Sequence, residues 1–187
     1  MKKSVLGLAV SALFMVGAAH AETNPNDVSA TLSVTGTVVE NITDLCSVNL
    51  STNSISLESN VDDLVNQGDA TLINASDMKT VRLSIAGGSD CQDQVAQGKM
   101  AYKFTGAADN ADGTVLANSN VSAGAATGVG IGLFTVGHTP IKINQDTIPA
   151  TNTLGGDILT INMVKLNGQQ AVAGDVTGSL TIEIERL

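Results

Sequence analysis

Val28-Ser-Ala30-Thr-Leu32-Ser-Val34-Thr-Gly36-Thr-Val38 is the stretch on which the fold turns. Every second residue is apolar or glycine and every other one is Ser or Thr, which is the two-residue period of a β-strand with one dry face and one wet face. Before it, Thr23-Asn24-Pro25-Asn26-Asp27 has nothing to pack, so the strand hangs on a terminus without a core of its own. On pattern alone, an ordinary first strand paired within its own sheet and a strand meant for another molecule both fit. Gly36 is what tells against the ordinary strand. A glycine in mid-strand weakens it unless another group must approach closely there, and this one falls in register with the valines.

Upstream lies a segment that does not belong to the fold. Lys2 and Lys3 form a positive start, Val5 to Val16 an apolar run, and Ala19-His20-Ala21 an A-x-A cleavage site, the layout of a secretory signal peptide. The run is shorter than the roughly 20 residues of a membrane span. No later stretch rivals it, so the mature chain, beginning at Glu22, is expected to be exported and soluble, with no membrane span.

Downstream, the period-two signal returns in Ile55 and Leu57, in Val81, Leu83 and Ile85, and in Leu180, Ile182 and Ile184. Further strands are expected near Met100–Thr105, Val129–Val136, Ile141–Ile143 and Ile158–Leu166. Turn-forming clusters separate them: Ala86 to Asp90, Gly106 to Gly113, Ser122 to Gly130 and Asn152 to Asp157. The one helical suspicion, Val61 to Val65, is too short to organise a domain. About seven short strands with such turns predict an all-β, antiparallel sandwich of immunoglobulin-like form.

Two cysteines, Cys46 and Cys91, lie in the exported part. One pair in an oxidising compartment leaves one intramolecular connectivity, so a Cys46–Cys91 disulfide is expected. Closing that loop removes unfolded-state entropy of roughly 4 kcal/mol in the chain-entropy view. Neither cysteine sits in a C-x-x-C pair, and His138 is the one histidine of the mature chain, so zinc-ligand spacing is absent.

The remaining chemistry is quickly weighed. Eighteen acidic residues against nine basic ones give a formal charge of -9, which excludes a basic surface for nucleic acid. Gly128, Gly130 and Gly132 lack the last spacing, the helix and the lysine of a phosphate cradle, and read as a small-residue strand. Asp109-Asn110-Ala-Asp112-Gly113 lacks the ligand spacing and closing glutamate of a calcium loop and reads as a turn. A Ser-His-Asp site would need His138, whose Gly137-His138-Thr139-Pro140 setting is also a turn. Asp62 and Asp63 are adjacent, which does not suit paired carboxylate catalysis. No metal, no cofactor and no enzymatic activity is expected.

Across essentially the whole mature chain these residues resemble the pilin subunits of chaperone–usher pili, particularly type 1-like major fimbrial subunits. The resemblance is carried by the alternating segment ending in Val34-Thr-Gly36-Thr-Val38-Val39, by Cys46 soon after it, and by Ser89-Asp90-Cys91. Tyr102-Lys-Phe104-Thr-Gly106, Ala126-Thr-Gly128-Val-Gly130-Ile and the alternating C-terminal strand complete it. It implies an incomplete immunoglobulin-like sandwich completed by a donor strand from the neighbouring subunit. Val28, Ala30, Leu32, Val34, Gly36 and Val38 would be that donor strand, and Leu180, Ile182 and Ile184 the edge of the acceptor groove. The chain then divides into a signal peptide at 1–21, an N-terminal extension at 22–40 and a pilin domain at 41–187. One position departs from the pattern: the family's usual aromatic one residue before the terminus is here Arg186.

The implied function is structural: a subunit that polymerises head to tail into an adhesive cell-surface fimbria, exported through the periplasm. Its partners would be identical or related pilin subunits, a periplasmic chaperone and an outer-membrane usher. A minor tip adaptor or small adhesive module of the same fold is the alternative. An adhesin with its own receptor domain would need a second sandwich, for which the chain has no length.

Overall fold

A computed structural model of the chain describes residues 29–33, 45–70, 77–151 and 155–187. Val28, Val34, Gly36 and Val38 lie outside the described residues. Two sheets face each other across one core. The first contains β1 (Ser29–Ser33), β3 (Ser54–Glu58), β6 (Met100–Gly106), β10 (Thr147–Pro149) and β12 (Val176–Arg186), in the spatial order β10-β6-β12-β1-β3. The second runs β2-β5-β11-β8-β7, from Ser47–Leu50 through Lys79–Ala86, Asp157–Lys165 and Val129–Phe134 to Leu116–Ala117. Two short strands flank it: β4 (Val65–Asn66) on β11 and β9 (Pro140–Ile141) on β8. This is the all-β, immunoglobulin-like sandwich the alternation predicts.

Most ladders are antiparallel, and two are not: β4 runs parallel to β11, and β1 runs parallel to β12. Ile143 leaves the strand expected at 141–143 and enters a turn in which Asn144 takes a φ of 61°. The suspected helix at 61–65 is one 3-10 turn, Val61–Asp63. A real helix, α1 (Ser89–Ala96), stands where the sequence reads as the end of a turn cluster. Its only apolar face is Cys91 and Val95, both buried and four residues apart, too little periodicity to announce a helix from sequence.

The core takes the inward face of each strand: Leu83 of β5, Phe104 of β6, Ile131 of β8, Ile161 of β11 and Leu180 of β12 are all buried. A smaller apolar cluster, Val65, Val115, Phe134, Val164 and Leu166, sits apart from it. Strand β8 is buried at all six positions, which is why it needs glycine. A Cβ on Gly130 would come within 2.8 Å of Val115 and 2.9 Å of the Leu116 carbonyl, and one on Gly132 within 2.9 Å of Val164 and of Phe134. The alternating glycines therefore let neighbouring elements lie directly on the strand.

Gly130→Val should lower stability by about 1–3 kcal/mol through overpacking. The denaturant midpoint reads this directly, and an unchanged midpoint would show that the contact at Val115 and Leu116 yields freely.

Candidate strand-accepting groove

Among the described residues strand β3 has one ladder partner, and it is β1. The register sets Ser29 against Glu58, Ala30 against Leu57, Thr31 against Ser56, Leu32 against Ile55 and Ser33 against Ser54. On its other edge β1 pairs with β12, Ala30 with Val176 through Ser33 with Ser179. Without β1 the first sheet would part between β3 and β12, leaving two unpaired edges and an apolar cleft, both costly in water.

A small apolar pocket lies beside β3 and β12. Leu50, Ile55, Val81, Leu159, Leu180 and Ile182 line it, with Thr52 to Ser54 at the rim. Leu180 is fully buried, whereas Ile182 and Ile184 are half-buried and pack against the main core. All three expected edge residues thus lie on one strand, held from one side by β6: Leu180 opposite Gly106, Ile182 opposite Phe104, Ile184 opposite Tyr102. On the side facing β3, the stretch Leu180–Arg186 has no strand partner among the described residues. Tyr102 is fully buried; that burial, with the negative charge of Asp157 nearby, pushes its phenol up and keeps it neutral.

Of the expected donor residues, Ala30 and Leu32 stand in β1, at register positions beside Leu57 and Ile55. The cleft is also bordered by β3 and lined by Leu50, Val81, Leu159 and Ile161, which sequence reasoning did not name for it. Their alternation marks strands, but which strand lacks a local partner depends on pairing between distant segments, which no local pattern carries.

The far end of β12 is strapped by covalent and polar contacts. Cys46 and Cys91 form the expected disulfide, joining the chain just before β2 to α1, with a Cα–Cα distance of 5.7 Å. Arg186 reaches across it. Its Nη1 donates to Gln94 Oε1 on α1, and its Nη2 approaches Cys46 Sγ at 3.8 Å. Gln94 Nε2 donates in turn to Asp90 Oδ2 at 2.6 Å. The arginine that departs from the aromatic pattern therefore ties the end of β12 to the helix and the disulfide.

The loop suspected of calcium chemistry is a turn closed on itself. Asp109 is buried; its Oδ1 accepts from the backbone N–H of Ala111 at 2.8 Å and of Asp112 at 3.0 Å, its Oδ2 from Val115 N–H and Gln67 Nε2, each at 3.0 Å. Burial by itself would raise this carboxyl, but the backbone donors of Val115, Ala111 and Gly113 and the Gln67 amide outweigh it and hold it below the usual range. Gln67 extends the network to Thr114 and Asn167. Among the described residues no group of three or more His, Cys, Asp or Glu side chains could hold a metal, and no helix is long and apolar enough to cross a membrane.

An immunoglobulin-like sandwich in which a strand from the N-terminal extension bridges two otherwise separate edges defines a class of strand-complemented structural domain. A family model described as "Fimbrial protein" matches residues 32–185, and the chain belongs to that family. The family is structural, and the chain is not an enzyme. Among solved structures the chain is similar to the crystal structure of the P pilus rod subunit PapA, with 12% identity and a TM-score of 0.45, covering 82% of this chain and 100% of that one. None of the curated proteins compared with the chain matches it.

The Asp109 network has a signed pH dependence. Because the folded carboxyl titrates below its usual value of about 4, its contribution is fully present above that pH and is lost as pH falls through the lower folded value. Asp109→Asn should cost about 1–3 kcal/mol near neutral pH. Urea denaturation across pH should show the gap to wild type closing in acid, and a gap that stays constant down to pH ~2 would contradict the assignment.

Proposed function

We propose that this fimbrial subunit polymerises head to tail by donor-strand complementation. The segment Val28–Val38 of one copy enters the groove between β3 and β12 of the next, and Gly36 meets the place where the groove closes. The single observation that supports this reading is the isolation of β3, whose one strand partner among the described residues is β1, near the start of the chain. A sheet that depends on a terminal segment for its continuity accepts the same segment from a second molecule, through the same main-chain hydrogen bonds and side-chain register. Contacts of this kind do not close on themselves, so they build filaments rather than rings or dimers.

In this reading residues 1–21 are a signal peptide removed on export, 22–40 the donor extension and 41–187 the pilin domain. A periplasmic chaperone covers the groove before assembly, an outer-membrane usher passes the subunit outward, and the product is the rod of a surface fimbria used for adhesion.

Gly36→Leu tests the reading, because the added side chain has no room where the groove narrows. In mixed assembly the variant should accept a wild-type strand but fail to donate its own, so it ends filaments and shortens them in proportion to its share. Electron microscopy of cells and of purified assemblies measures this. Variant subunits polymerising alone as well as wild type would refute the placement of Gly36 and the donor role with it.

A further inference from the structure

Asn167-Gly168 is the one Asn-Gly step in the chain, and Asp112-Gly113 is the one Asp-Gly step. Such steps cyclise more readily than others, because a glycine puts no side chain in the way when its own nitrogen attacks the preceding side-chain carbonyl. The fold brings the two together: Asn167 Nδ2 donates to Asp112 Oδ2 at 2.7 Å. Each glycine takes a positive φ, 68° at Gly113 and 70° at Gly168, with open space where a side chain would stand. Asn167 and Gly168 are both exposed.

Asn167 latches three segments to one another. Besides its bond to Asp112, its Nδ2 donates to the Gln67 carbonyl at 3.3 Å and its backbone N–H to Gln67 Oε1 at 3.2 Å. Gln67 follows β4, Asn167 follows β11, and Asp112 belongs to the turn that Asp109 closes. That turn also covers apolar groups: Val115 is part of the smaller cluster and Ala111 packs against it. The peptide N–H of Gly168 has no acceptor among the described residues. The nucleophile for cyclisation is therefore free, and what holds the reaction off is the grip of Asp112 and Gln67 on the Asn167 side chain.

We propose that Asn167 is a site of spontaneous deamidation gated by Asp112, and that the reaction releases this latch in one direction. When the side chain leaves Asp112 and Gln67, the Gly168 nitrogen gives up its proton and bonds to Asn167 Cγ. The Cγ–Nδ2 bond breaks and ammonia departs carrying that proton, which leaves a cyclic imide. Water opens the imide at one of its two carbonyls to give aspartate or isoaspartate, so the net change is one water in and one ammonia out. The new carboxylate stands where the amide donated. It faces the Asp112 carboxylate and the Gln67 carbonyl, three acceptors with no donor between them, and the latch cannot close again. The buried bonds to Asp109 take no part in the reaction, so the opening is local. This inference stands apart from donor exchange and holds whichever strand fills the groove.

The test follows the full mature chain by peptide mass spectrometry through a long incubation in warm, mildly alkaline buffer. Conversion should concentrate at Asn167 rather than at the other asparagines. Asp112→Ala should speed it about fivefold, the factor expected from losing one exposed hydrogen bond to a charged group. Asn167→Asp, which installs the product directly, should lower the denaturant midpoint. Adding Asp112→Asn to that variant puts a donor back opposite the carboxylate and should recover most of the loss. An Asn167 that stays intact in wild type and in Asp112→Ala would overturn the site, and equal rates in the two would overturn the gate. A midpoint for Asn167→Asp at the wild-type value, or one that the added Asp112→Asn leaves unrecovered, would overturn the release. If Asp112→Ala fails to fold, Asp112→Asn alone tests the gate in its place: it keeps an oxygen acceptor but loses the charge, so it should speed conversion by a smaller factor, and no increase would overturn the gate.

Discussion

The first sheet depends on one set of hydrogen bonds, those between β1 and β3. Every other strand of the sandwich is paired to an element of the domain itself: β6 to β10 and β12, β11 to β5 and β8. Among the described residues β3 alone is paired to nothing but β1, a strand near the start of the chain. Backbone donors and acceptors buried without partners are too costly to persist. The edges of β3 and β12 therefore require a strand, and nothing in the geometry of an edge specifies which molecule provides it.

The rest of the molecule concentrates this dependence in one place. The second sheet is closed around β8, whose glycines at 130 and 132 let neighbouring groups settle onto it. Asp109, Gln67 and Asn167 lock the loop after β6 through buried hydrogen bonds that leave little slack. The disulfide and Arg186 strap the far end of β12 to α1. With those regions fixed, the side of β12 that faces β3 is the part of the sandwich left without a strand partner from Leu180 onward, among the described residues.

Much of this was legible before any coordinates. Strict alternation at Val81–Ile85 and Leu180–Ile184 marked strands that the fold contains, because period two with one dry face has no other stable use at that length. The disulfide followed from there being one pair of cysteines to join. Helix α1 was not legible, since Cys91 and Val95 are its only buried residues and the glycines before it read as a turn. The isolation of β3 and the parallel course of β1 were hidden for a different reason. Ile55 and Leu57 show that the segment is a strand, but its neighbours come from Ser29–Ser33 and, beyond them, from Val176–Ser179. Partners so distant in sequence are chosen by the whole topology, not by any local pattern. Arg186 likewise looked like a lost aromatic until its contacts with Gln94 and Cys46 gave it a task of its own.

In the proposed assembly the strand between β3 and β12 comes from another copy, and what distinguishes it from β1 is connectivity. Within the chain, the described strand β1 runs parallel to β12 and is tied by the same chain to β2. A strand from another molecule carries no such tether, and is free to adopt the direction and register that cover the most of β12. A ladder of many hydrogen bonds is hard to reverse, since leaving requires many bonds to break before water or a competitor can enter. Persistence of the polymer is then a property of the barrier to strand release rather than of any large surplus in side-chain burial. An assembly whose lifetime is set by that barrier suits a fibre built outside the cell, where no energy source is at hand to repair it.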